Sequence, residues 1–460
     1  VSARQAAPRR RSDPGTARAA DLTATRRKIE AIEEAALAAF AARSAAARRR
    51  IPLAAEGRAF DYRTEFQRDR DRIIHARAFR RLQDKTTLPP AGEHDPYRTR
   101  QTHALEVSQL GRTLARALRL NEDLVEAIAL GHDLGAPPFA EGGVVALAGL
   151  AGGLARIPGV APRVLGAVGG FDLPAQSLRV VDLLEKRYDH PGINLTDVTR
   201  AGIWKQVDPL RTKGYPDQPL DGLEPGAPSS AEAQVVRLAC RIAAATDTLD
   251  ALLQSRPALL DRVERLAIVR RLLSRLGRRY PRNGSAFMRL NALHRGLTHL
   301  LVTSGILHSE EALDRWSEGE GIDSVDRFRQ RRATLPADVI SLPTRTAVWL
   351  EELEQFLSVE ARASRARALA DRRARRVLEG LFRAYYADPA VLDDYLLLRF
   401  RDAERLRFLR DLSPGEAEAD IGRHYQGSPR FVRLILDHLS GMADAYAEAE
   451  FRRLSLESGF

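Results

Sequence analysis

Two histidines stand inside apolar helical patterns, His103 in YRTRQTHALEV and His132 in NEDLVEAIALGHDLG, and Asp133 follows the second directly. A histidine on one helix and a His-Asp pair on the next is a metal-site pattern. Two ring nitrogens and a carboxylate oxygen suit a divalent ion such as manganese, iron, magnesium or zinc. Such an ion, with a position left open, binds phosphate oxygen and activates water. The bland reading is a set of hydrogen-bonded polar residues in a helical core, and residue types alone leave both open.

The elements that must hold these groups are helical. Apolar residues recur at helical spacing almost throughout the 460 residues, and only 6% are aromatic, so an all-α protein is expected. We divide it into a basic, partly disordered N-terminal arm and helix (1–50), a core (51–290) and a C-terminal helical region completing the fold (291–460). Residues 1–20 have no apolar face and are expected to be loosely held; the run Arg48-Arg49-Arg50 reads as a solvated face. Ile73, Ile74, Ala78, Phe79 and Leu82 form an apolar stripe beside Arg68-Asp69-Arg70-Asp71-Arg72, whose charges are placed for pairs within the helix. Lys85, before the loop through Pro89 and Pro90, is free to point at an anion, and His75 is a boundary residue. Asn121-Glu122-Asp123 is a helix start and Gly135 a helix end. The Gly/Ala/Val-rich stretch 142–170 suits a buried hairpin, two short helices or a loop. A Pro/Gly-rich loop follows over 208–230, and Ser229-Ser230 opens a helix carrying Cys240, Asp247 and Asp250.

A net charge of +11 favours polyanionic partners, nucleotides or nucleic acid through a basic surface, although the arginines are spread over many helix faces. The single cysteine excludes an intrachain disulfide framework and a thiolate-cluster zinc site, and fits a reducing cytoplasm. No apolar run reaches about 18 residues, so no membrane span is expected.

Taken in order, Tyr62-Arg63-Thr64, FQRDRDRIIHARAFRRLQDKT, YRTRQTHALEV, NEDLVEAIALGHDLG, GGFDLPAQSLRVV, the 192–196 turn, EAQVVRLACRIA and the late DHLSGMADAYA resemble the dGTPase-like deoxynucleoside triphosphate triphosphohydrolases of the HD-domain superfamily. The resemblance covers residues 61–255 and 437–452. It implies an all-α HD-domain multi-helix fold with additional C-terminal helices, a homo-oligomer or mixed oligomer, and cleavage of a dNTP to deoxynucleoside and tripolyphosphate with a divalent metal. Carried over by position, His103, His132 and Asp133 match three of four metal ligands and Arg100 an arginine that contacts substrate, with Lys85 a second candidate for the anion.

Several positions depart from the family pattern. Cys240 stands at the fourth-ligand position in place of aspartate, as either a thiolate ligand or a small apolar filler, and Ala244 replaces a tyrosine. Asp247, two turns beyond, substitutes for the missing carboxylate only if the helix shifts. In the turn HDLGAPPFAEGGV, Ala136 and Glu141 replace two histidines and Val144 an acid, while Leu173-Pro174 occupy positions often filled by His-Asn. Glu141 is then the candidate proton donor, provided burial raises its pKa. Two functions follow from these residues: a dNTP triphosphohydrolase of weakened or lost activity, or a catalytically silent nucleotide- or nucleic-acid-binding paralogue acting as regulatory subunit or scaffold, with the metal retained or lost.

Overall fold

The computed structural model describes residues 14–52, 61–87, 98–154, 157 and 159–458. In chain order the helices that frame the site are α1 (Pro14–Ala36), α2 (Glu65–Ile74), α3 (Arg100–Ala117), α4 (Glu122–Gly131), α5 (Ala140–Ala151), α6 (Leu173–Arg179), α7 (Asp197–Trp204), α8 (Ala231–Ser255), α9 (Ala286–Glu320), α10 (Thr344–Arg362), α11 (Arg365–Ala387), α12 (Pro429–Gly441) and α13 (Asp444–Ser458). Extended pairing among the described residues is confined to isolated bridges, so the all-α expectation holds. No helix among them is long and apolar enough to cross a membrane.

Helix starts follow from side-chain caps. Thr99 accepts from the Thr102 N–H, Asn121 from Leu124 and Ser230 from Ala233, each satisfying a donor that the first turn leaves orphaned. The apolar faces of α3, α4 and α8 then meet through Leu110, Leu114, Val125, Ile128, Val235 and Ile242, all buried. Burying one such side chain contributes roughly 1.5–3 kcal/mol. Leu297 and Leu301 of α9 and Leu350 and Leu353 of α10 extend the same core, so a boundary at residue 290 falls inside α9. A second core joins α5 to α11 and α12 through Leu147, Leu150, Leu378, Phe382, Phe431 and Ile435.

Five local expectations are changed or made specific. The charges of α2 pair mostly outside the helix: Asp69 receives Arg49 (2.5 Å) and the Thr196 hydroxyl (2.6 Å), Arg68 meets Asp61 (2.6 Å), and Arg72 donates to the Ile193 carbonyl (2.6 Å). Buried charges need partners on whatever element covers them. Arg49 is therefore no solvated side chain, being bonded also to Glu65 at 2.7 Å. Residues 14–20 lie in α1, which opens with Pro14, a residue pre-set for the first helical turn; residues 1–13 and the loop through Pro89 and Pro90 lie outside the described residues. The 142–170 stretch is resolved in favour of helices, α5 and a short Pro162–Gly166 helix. The 208–230 loop is pinned: Arg179 pairs with Asp217, Arg200 donates to the Pro219 and Asp221 carbonyls, and Lys205 to those of Glu224 and Ala227.

Candidate metal centre and nucleotide cavity

His103 lies in the first turn of α3, His132 caps the C-terminus of α4, and Cys240 sits midway along α8. Packing of these three helices brings the Cys240 Sγ to 3.7 Å from His103 Nε2 and 3.8 Å from His132 Nε2. Asp133 Oδ1 is 3.6 Å from His132 Nε2. His103, His132 and Asp133 are buried, and Cys240 is partly buried.

Hydrogen bonds on the far sides of both rings aim Nε2 inward. His132 Nδ1 is 2.7 Å from the Ala129 carbonyl, which only accepts, so Nδ1 carries a hydrogen and Nε2 is the nitrogen turned to the centre; Asp133 and Cys240 favour the charged ring, whose Nε2 proton a metal would displace. His103 Nδ1 lies 3.4 Å from Asp247 Oδ2. Asp247 is itself held by Arg98, which also reaches Glu106 at 2.9 Å. This is the carboxylate–histidine arrangement that orients ring ligands in metal sites. Asp247 thus reaches the centre without any shift of α8, behind His103 instead of in the place of Cys240.

The donor set fits a divalent ion. Tetrahedral bonds of about 2.3 Å to sulfur and 2.0–2.1 Å to nitrogen place those atoms roughly 3.6 Å apart, and a nitrogen–oxygen edge is slightly shorter. The observed spacings lie within a few tenths of an ångström of these, and the His103, His132 and Cys240 donor atoms all fall within 4.8 Å of one another. Charge is arranged accordingly. Burial alone would raise the Cys240 thiol, but hydrogen bonding and charge from His103 and His132 bring it down. Burial likewise opposes ionisation of Asp133, yet His132, Arg100 and His103 hold its carboxyl far below the usual range.

Arg100 Nη1 donates to Asp133 Oδ2 at 3.0 Å, while its buried Nε has no hydrogen-bond partner among the described residues. Beside it opens a cavity of about 680 Å³ lined by Arg100, His103, Glu141, Ala244 and Asp247, a volume ordinary for a bound metabolite. Its farther wall carries Arg241, Arg256 and Arg367, steadied by Glu354 (2.8 Å), Glu360 (3.1 Å) and Asp371 (2.9 Å). These three arginines, with Arg98, are not visible from local sequence: their meeting depends on α10 packing against both α8 and α11, which no local pattern records.

Lys85 is placed otherwise than expected. It is 2% exposed, and Nζ donates to the Ala136 carbonyl (2.5 Å) and the Ser440 carbonyl (2.7 Å), so it ties the turn after Asp133 to α12 instead of facing an anion. That turn is fixed from several sides. The Ser177 hydroxyl accepts from the Gly135 N–H (3.0 Å) and donates to the His132 carbonyl (2.7 Å), and a Cβ on Gly135 would run into the Ser177 backbone. Phe139 and Ala140 both take left-handed φ, 67° and 54°, and the Phe139 N–H is held by Asp444. Glu141 emerges from this strained corner exposed, at the start of α5 and on the cavity wall. Leu173-Pro174 form the first turn of α6, capped by Asp172.

The chain is similar to known proteins over most of its length. Residues 100–245, from Arg100 through the α8 cysteine, match the HD domain family. A protein of Syntrophus aciditrophicus is 36% identical over 425 residues, 91% of this chain and 93% of its own length. One from Bordetella pertussis is 35% identical over 397 residues, 85% and 90% of the two chains. One from Ralstonia nicotianae is 35% identical over 422 residues, 92% and 95%. Each bears the name deoxyguanosinetriphosphate triphosphohydrolase-like protein.

Proposed function

The chain belongs to the deoxyguanosinetriphosphate triphosphohydrolase-like family of HD-domain proteins, and on that footing we propose that it binds a deoxynucleoside triphosphate over a divalent metal and hydrolyses it slowly to deoxynucleoside and tripolyphosphate. The observation that carries this reading is the meeting of His103, His132 and Cys240, with Asp133 beside His132, next to an arginine-lined cavity whose wall His103 shares. A metal held by these residues would polarise a phosphate oxygen and lower the pKa of a bound water.

The chain's own groups do the rest. Arg100 has unspent donor capacity beside Asp133 and takes up phosphate charge there, and Arg241, Arg256 and Arg367 hold the remainder of the polyphosphate in forked hydrogen bonds. Glu141 is the cavity-wall group beyond the His-Asp pair that can hand a proton to the departing 5′-oxygen. A carboxyl standing where the family pattern has an imidazole makes the step slow. Ala244 leaves the nucleoside end roomy, favouring tolerance over tight base selection. Assembly into homo- or mixed oligomers and contact with nucleic acid belong to the same reading, supported by kinship and by the net charge of +11.

One feature favours a second reading, a nucleotide binder without turnover: among the described residues His103 is the sole imidazole on the cavity wall and its ring is directed to the metal centre, leaving Glu141 as the proton-transfer group among them. Incubation of dGTP, dATP, dCTP and TTP with the protein and Mn²⁺, Mg²⁺, Zn²⁺ or Co²⁺ separates the two. Tripolyphosphate release that disappears in His132→Ala supports the hydrolase; stabilisation by nucleotide without release supports the silent binder; neither response overturns both.

A further inference from the structure

The thiol of Cys240 is the one donor in the centre whose chemistry differs in kind from the others, and its surroundings assign it a role. A cysteine serving as apolar filler packs against hydrocarbon on every side. Here the Sγ faces two ring nitrogens, 3.7 Å and 3.8 Å away, both on rings whose opposite nitrogens are tied to Ala129 and Asp247. The nearby carboxylates are already committed: Asp247 to Arg98 and His103, and Asp133 through one oxygen to Arg100. No movement of α8 is needed to bring the sulfur to bonding distance of an ion shared with the two histidines.

We infer that Cys240 binds as a thiolate and makes this a zinc-selective His-His-Cys centre, with Asp133 beside the fourth position. This rests on the divalent-metal reading above and specifies it. Magnesium demands six oxygen ligands in near-ideal octahedral array, and manganese likewise favours oxygen. Two imidazoles and a thiolate converging at tetrahedral spacings suit zinc, and three protein donors leave the fourth position for Asp133 or a phosphate oxygen. The thiol proton leaves to solvent as the metal enters. The arginines and the cavity are unchanged by this choice of ion; only the charge and softness of the centre differ from an all-oxygen-and-nitrogen site.

Cobalt(II) reads the ligand directly, because thiolate-to-cobalt charge transfer absorbs in the near ultraviolet whereas imidazole and carboxylate ligation does not. Full-length protein stripped with chelator and titrated with Co²⁺ is expected to develop that band together with intense tetrahedral d–d absorption, to lose both when Zn²⁺ is added, and to retain both under excess Mn²⁺ or Mg²⁺. Cys240→Ser and Cys240→Asp should lose the charge-transfer band, and the aspartate variant should shift its preference towards Mn²⁺. Cobalt binding without charge transfer, or Mn²⁺ displacing Zn²⁺ from the wild type, overturns the zinc assignment while leaving a divalent-metal site standing. Absence of any bound metal by elemental analysis and titration overturns that underlying reading as well. The wild-type spectrum decides the matter even where a variant fails to fold.

Discussion

The Asp247 carboxylate stands 3.4 Å from Nδ1 of His103, across the ring from the Cys240 thiol. The contact fixes which nitrogen of His103 faces the centre, and removing it lets the ring turn or change tautomer. Asp247→Asn is therefore expected to weaken metal binding by about 10–100-fold, the usual cost of losing an outer-shell partner of a ligating histidine. Competition against a chromophoric chelator measures it. An unchanged affinity would mean that the helix packing alone orients the ring.

Arg100 and Asp133 form a pair whose side chains are 12% and 3% exposed. Breaking such a pair from one side strands a charge, so Arg100→Met is expected to destabilise the metal-free protein by about 3 kcal/mol. A bound divalent ion neutralises the stranded carboxylate, and zinc should restore more stability to the variant than it adds to the wild type. Denaturant unfolding with and without zinc tests this, with equal increments in the two proteins as the contrary result.

Lys85 gives a pH signature. Burial draws it down to about 7 from its ordinary 10.5. Between those values the unfolded chain holds a proton that the native protein does not, so stability rises as pH increases across the window and levels off at either side. Neutral lysine still donates to both Ala136 and Ser440. Compared with Lys85→Met, which cannot titrate, the wild type should gain stability between about pH 7 and about pH 9.5 in urea unfolding; a constant difference would show that Lys85 remains charged.

Gly143 packs so tightly under the turn that an added Cβ would collide with the Pro138 carbonyl, a backbone atom with little freedom to move. Gly143→Ala should cost about 1–3 kcal/mol and displace Glu141 along with the turn. Calorimetry reads the first effect, and a wild-type melting temperature would contradict it.

Much of the centre was legible in the residues themselves. An imidazole interrupting an apolar face at His103 and the His132-Asp133 pair are local signals, and caps at Asn121 and Ser230 mark two of the helices that carry the centre. What stayed hidden depends on contacts between distant segments. Lys85 looks free beside a proline-rich loop until the Ser440 carbonyl, 355 residues away, arrives to accept its hydrogen bond. Cys240 reads as filler or as ligand, a lone cysteine being more often the former, because only the rotation of α8 against α3 and α4 decides what its sulfur faces. Arg49 looks solvated because its partners Glu65, Asp69 and Asn194 come from other elements.

A nucleotide that spans the metal centre and the cavity couples the two, and that coupling is directly measurable. Thermal unfolding with dGTP should show stabilisation of the zinc-loaded wild type, about 2.7 kcal/mol at a hundredfold excess over Kd, and none in His132→Ala or in chelator-stripped protein. Equal stabilisation with and without metal, or none in either, would contradict the claim.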